Sequence, residues 1–163
     1  MKFPRVARLD DTDDYVYERA AEVGEPAVTG TFVFTFSEQD PSALEGKRRE
    51  AFKHAFLGAR SFGWATVVTV SEMDEAEYKS VIESLAHHFV EHYGAPSLAE
   101  ALPVAREHAE YAAGLCEHDL NTVLALDRAI VRDGIHETFK VVQPRANWEG
   151  AHVRIWRVEE DDQ

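Results

Sequence analysis

The chain has a single cysteine, Cys116, in 163 residues. One thiol excludes an intramolecular disulfide and a zinc site built from cysteines. No apolar run reaches the roughly 18 residues that a membrane-spanning helix needs. The opening MKFPRVARLDD has no apolar stretch of the secretory type. Basic charge is scarce: 17 Lys and Arg stand against 30 Asp and Glu, for a net charge of −13. A field of that sign repels phosphate backbones and anionic lipid, which argues against nucleic-acid and membrane partners. There is no G-x-G-x-x-G, no P-loop and no G-x-S-x-G, so nucleotide binding and serine hydrolysis find no support. Internal repeats and linker-like stretches are missing too.

What remains reads as one acidic cytoplasmic domain over residues 1–158, with 159–163 as an acidic tail. Hydrophobic residues make up 45% of the chain, enough for a core without staples. Val28 to Phe36 has strand composition. Asp40-Pro41 reads as the start of a helix running to about Ala59. Trp64 to Val70 reads as a buried strand. Ser71 and Asp74 have the spacing of a capping box. Behind them Tyr78, Val81, Ile82, Leu85 and Phe89 recur at helical spacing, and Gly94-Ala95-Pro96 stops that helix. Ser97 to Glu100 caps the next helix, in which Pro103 predicts a kink or a break. Val123 to Val131 and Ile135 to Val142 flank Arg132-Asp133-Gly134 as a hairpin. Ala151 to Val158 alternates as a last strand. The order predicts an α+β fold, with about three helices packed on one face of a mainly antiparallel sheet.

The strings Phe56 to Trp64 (FLGARSFGW), Tyr93-Gly94-Ala95-Pro96 and Leu115-Cys116-Glu117-His118 are similar to a proteobacterial family of small cytoplasmic domains of unknown function. With Arg5 to Asp10 and Asp13 to Glu22, the likeness spans most of the chain. None of these strings is a catalytic signature. The resemblance implies an accessory role, with genes near those of cofactor-ligase or oxidoreductase accessory proteins, and carries over no functional residues.

Candidate chemistry comes from the residues themselves. His88-Phe89-Val90-Glu91-His92 matches H-x-x-E-H, in which His88 and His92 would hold a metal and Glu91 would activate its water. At about 100° per residue, His92 falls about 40° from the centre of the apolar stripe and His88 about 80°. That makes His92 the more buried of the two, and core-edge histidines are the plainer reading. A catalytic zinc needs a third protein ligand that one helix does not supply. His136 and His152, on predicted strands, are the remote candidates. Cys116 lies on an apolar stripe and reads as an inert core thiol, with Cys116/His118 as the nucleophilic alternative. Glu50/His54 and Glu107/His108 read as surface pairs. Asp10, Asp11, Asp13 and Asp14 read as a solvated acidic turn rather than a calcium loop. Phe62 and Trp64 flank Gly63 as a candidate pocket wall. Arg145, Arg154 and Arg157, with Trp156, mark a possible interface.

The reading drawn from these residues is a non-catalytic accessory or interaction protein without a cofactor. It would pair with a protein partner or with itself as a homodimer through the sheet or the helical layer, the last strand being the natural contact. Two alternatives stand beside it. One is a metal-dependent hydrolase using His88, Glu91 and His92. The other is a small-ligand binding protein built around Phe62 and Trp64.

Overall fold

The computed structural model describes residues 1–35, 39–144 and 156–160. Five strands form the larger sheet: β1 (Lys2–Ala7), β5 (Val67–Glu72), β6 (Val123–Val131), β7 (Gly134–Pro144) and β8 (Trp156–Glu160), in the order β1-β5-β6-β7-β8. Every neighbouring pair is antiparallel. A second antiparallel sheet holds β2 (Ala27–Val28), β3 (Phe56–Gly58) and β4 (Trp64–Ala65). The two meet where Arg5 bridges Pro26 and the Val6 N–H donates to the Glu25 carbonyl at 2.8 Å. With the helices α1 (Asp13–Val16), α2 (Phe32–Thr35), α3 (Gly46–His54), α4 (Glu75–His92) and α5 (Leu98–Gly114), the fold is α+β, as the sequence predicts. No helix among the described residues is long and apolar enough to cross a membrane.

The hairpin of β6 and β7 turns where the sequence placed it, with Val131 opposite Gly134. Helix α4 buries Val81, Ile82, Leu85 and Phe89 of the expected stripe, together with Ala86, and leaves Tyr78 half-buried at the edge. Its cap differs from expectation. Asp74 is the capping residue and accepts from Glu77 N–H at 2.7 Å, while Ser71 remains in β5, opposite Phe3 of β1. Helix α5 begins on Ser97, which accepts from Glu100 N–H, and it runs through Pro103 as one helix.

Three stretches depart from expectation. Trp64 to Val70 is not one strand: the chain bends at Thr66, with β4 in the smaller sheet and β5 in the larger. Of the strand expected over Val28 to Phe36, Phe36 lies outside the described residues and the rest is not one strand: the chain leaves β2 at Val28, turns at Gly30 (φ +77°) and forms the single turn α2. Helical residues two apart point about 200° from each other. Phe32 therefore enters the cluster beneath α4 and α5, while Phe34 enters a separate one with Leu44, Phe52 and Tyr17. A strand would have sent both to one face. The helix predicted over 40–59 is instead a 3-10 turn at Pro41–Ala43, then α3, then β3. Residues 55–59 are all buried, which a strand covered on both faces allows and one face of a helix does not.

Arg128 on β6 ties these pieces together. Its guanidinium is buried, lies over the Phe34 and Phe52 rings, and pairs with Glu137 at 3.1 Å. It also donates to the carbonyls of Phe52 (2.7 Å) and Ala51 (3.3 Å), Thr29 (2.6 Å) and Ala55 (3.2 Å). Three of these acceptors lie at the C-terminal end of α3, where unpaired carbonyls and the helix dipole favour a cation. Asp13 corrects the reading of a fully solvated acidic turn: it is buried and accepts from Thr66 N–H and from Thr66 Oγ1 (2.7 Å). β8 extends to Glu160, so Glu159 and Glu160 of the expected tail pair with Val141 and Lys140.

Candidate functional site

Two separate suggestions of the sequence meet in one place. Phe62 and Trp64 line the same cleft as His88 and His92, with a volume of about 420 Å³. Helix α4 supplies the histidines from consecutive turns, with ring centroids 4.7 Å apart. The β3–β4 connection supplies Phe62. Its ring stacks face to face on His88, with centroids 3.7 Å apart and planes within 3°. Trp64, the first residue of β4, is stacked against Phe34 at 5.5 Å. Tyr93 follows α4 and meets Phe32 edge-on at 5.4 Å.

Phe62 holds this position at φ +57°, a conformation that costs a non-glycine residue on the order of 1–3 kcal/mol. The surrounding structure over-determines it. Glu25 is buried, and its carboxylate accepts four hydrogen bonds. Oε1 takes the N–H groups of Arg60 and Ser61, each at 2.9 Å. Oε2 takes the N–H of Glu22 at 2.7 Å and the Ser61 hydroxyl at 2.6 Å. Ser61 Oγ in turn accepts from Gly63 N–H at 3.0 Å. Burial pushes the Glu25 carboxyl upward, but the donors from Ser61, Glu22 and Arg60 outweigh it and hold it below its ordinary value. The loop is thus wound around an anion, as in a backbone nest. Both flanking glycines are required by close approach. A Cβ at Gly58 would overlap the Glu25 carboxylate, and one at Gly63 would lie 2.6 Å from the Ala20 backbone.

The electrostatics of the cleft run against those of the protein. Its charged lining residue is Arg48 of α3, and among the described residues no carboxylate lines it. Burial, reinforced by His92 and opposed by Glu91, pushes His88 down to about 4, so its imidazole is neutral at pH 7. Burial raises Tyr93, with Arg48 opposing.

The structure brings together only part of the H-x-x-E-H chemistry. Glu91 lies outside the cleft lining, exposed, with its Oε2 3.7 Å from His92 Nε2. No group of three or more His, Cys, Asp or Glu able to hold a metal exists among the described residues. The predicted burial order of the histidines is reversed. His88 is the more enclosed because the Phe62 loop covers it, whereas His92 closes the last turn of α4 and its side chain is 60% exposed.

The other candidates lie elsewhere. Cys116 follows α5, is buried, and is pushed up to about 12 by burial. His54 pairs with Asp127 at 3.0 Å rather than with Glu50. His108 packs on Phe32 and Phe89, and burial lowers it. His136 stands on β7 opposite Ala129, outside the cleft. Arg145, His152 and Arg154 lie outside the described residues, and Trp156 and Arg157 are placed only as members of β8. Sequence reasoning missed Glu25, Arg48 and Tyr93. The one local signal was the pair Gly58 and Gly63 bracketing a short loop.

A family model described as a family of unknown function (DUF6505) matches residues 1–155, and the chain belongs to that family. No curated protein and no solved structure matches it.

Proposed function

We propose, since membership of this family assigns no activity, that the protein is a non-catalytic accessory protein that acts by binding a small planar molecule in the Phe62–His88 cleft. One observation carries this reading. A phenylalanine in a strained left-handed conformation is locked by a buried carboxylate so that its ring forms a wall of an open cleft. Strain that the fold holds in place concentrates at functional sites. Rings with a few convergent polar groups are the usual lining of a small-molecule site. The uncharged imidazole of His88 and the hydroxyl of Tyr93 supply hydrogen bonds that orient a ligand, while the aromatic rings supply contact area.

Ligand-observed NMR against a set of one- and two-ring planar fragments tests the reading. Fragments should bind to the wild-type protein and be lost in Phe62→Gly. Glycine accepts the backbone conformation of residue 62, so that variant stays folded. An absence of binders, or binders that Phe62→Gly retains, refutes the assignment.

A further inference from the structure

We propose that the ligand of this cleft is an anion, a planar aromatic carboxylate whose charge is met by Arg48 while its ring system lies against Phe62 and Trp64. The inference rests on the binding function proposed above and adds the chemical class.

Charge distribution supports it. The protein carries 30 acidic residues against 17 basic ones, so a surface cleft without a carboxylate is not what its composition favours. Other clefts carry carboxylates: the one beside β1 has Glu72, Asp74 and Glu77 beside Lys2 and Arg5, and the one at α3 has Glu45 beside Arg49, Lys53 and Arg128. The Phe62–His88 cleft has Arg48 and, among the described residues, no acidic lining residue. The cation belongs to a local reversal of sign. Helix α3 reads GKRREAFKH, with Lys47, Arg48, Arg49 and Lys53 against a single Glu50. Among the described residues Arg48 forms no ion pair, while Arg5, Arg8, Arg60 and Arg128 each meet a carboxylate and Arg19, Arg49, Arg106 and Arg132, like Arg48, do not; of these unpaired arginines Arg48 is the one that lines this cleft.

Geometry narrows the class further. A guanidinium presents paired N–H donors that match a carboxylate in two-point contact, and such bonds are the strong ones. The remainder of the wall is aromatic or apolar, with Val33 and Leu57 behind Phe62 and Trp64. A small inorganic anion would leave that wall unused. A cation would face Arg48 with no carboxylate to meet it. A flat ring bearing a carboxylate uses both halves of the site.

Calorimetry and NMR titration with 2-naphthoate, and with 2-naphthamide as its neutral counterpart, test this on the full chain. The carboxylate should bind roughly tenfold or more tightly than the amide, the margin expected of a charge-assisted contact. Arg48→Gln should remove that margin and leave the affinity for the amide unchanged. Arg49→Gln, on the same helix but lining a different cleft, should leave both affinities unchanged. Equal binding of acid and amide to the wild-type protein overturns the anion assignment and leaves the binding function standing. The same holds for a loss in Arg49→Gln equal to that in Arg48→Gln, which would mean a diffuse field rather than a contact. Failure of both compounds, together with failure of every planar fragment, overturns the binding function and this inference with it.

Discussion

Replacing Glu25 with glutamine changes one oxygen into an amide nitrogen and tests whether a buried carboxylate holds the cleft wall in place. The carboxylate meets four donors and offers only acceptors. Glutamine keeps one carbonyl oxygen, which can serve the N–H groups of Arg60 and Ser61. Its amide group then faces the Glu22 N–H, donor against donor. The Ser61 hydroxyl can turn to accept through its second lone pair beside the Gly63 N–H, but its own proton then loses the acceptor it has in Glu25. One buried backbone donor is left unpaired, and the remaining bonds lose the strength a charged acceptor gives. Bonds to charged groups contribute about 1.5–3 kcal/mol each, and an unpaired buried donor costs about 1–3 kcal/mol. Allowing for relaxation of the loop, Glu25→Gln should destabilise the protein by about 2–4 kcal/mol in urea unfolding. A second readout is specific to the site. If the loop releases Phe62 from His88, the imidazole regains solvent and its titration, followed by NMR, moves from about 4 back toward 6.5. A variant that loses less than about 0.5 kcal/mol and still titrates at about 4 would refute the argument that Glu25 positions Phe62.

Three further outcomes follow from the same structure. The folded value of His88 lies below its ordinary 6.5, so the unfolded chain takes up the proton first and stability is lost as pH falls from about 6.5 toward about 4. After discounting for its half exposure, His88→Asn should remove about 1–2 kcal/mol of that acid-side loss in unfolding measured across this range. Arg128→Lys should destabilise by about 3–5 kcal/mol in chemical unfolding, because an ammonium cannot reach four carbonyls and Glu137 at once; a near-neutral result would mean that the α3 carbonyls find water instead. Cys116, pushed up to about 12 by burial, should resist a disulfide reagent in the native state and react only on unfolding; rapid native labelling would restore it as a nucleophile.

Parts of the fold were legible because their signals are local. The stripe of α4, the Ser97 cap and the Arg132-Asp133-Gly134 hairpin each declare themselves within a few residues. The smaller sheet was hidden, because β2 and β4 are two residues each and too short to show a period. The sequence Val28 to Phe36 misled for a physical reason. Its β-branched and aromatic residues have strand propensity, yet Phe32 and Phe34 serve two different clusters, and tertiary packing overrode the preference. The site was half legible. His88, His92, Phe62 and Trp64 were singled out, but as two unrelated candidates on separate elements. What joins them is Glu25, whose neighbours Gly24 and Pro26 read only as a turn and whose partners Arg60 and Ser61 lie 35 and 36 residues further on. Arg48 was one of several basic residues on a helix whose orientation the sequence alone does not give.

The contacts of Arg128 also set an order of events for a chain emerging from the ribosome. Its carbonyl acceptors lie between 73 and 99 residues upstream, at Ala55, Phe52, Ala51 and Thr29. At roughly 5–20 residues per second, those groups are made about 4–20 s before their donor exists. During that interval Lys53 and His54 are the basic groups of the last turn of α3, and the carbonyls of Ala51, Phe52 and Ala55 lack the guanidinium that meets them in the finished fold. A chain interrupted before residue 128 therefore lacks the cation that lies over both the Phe34 and Phe52 rings.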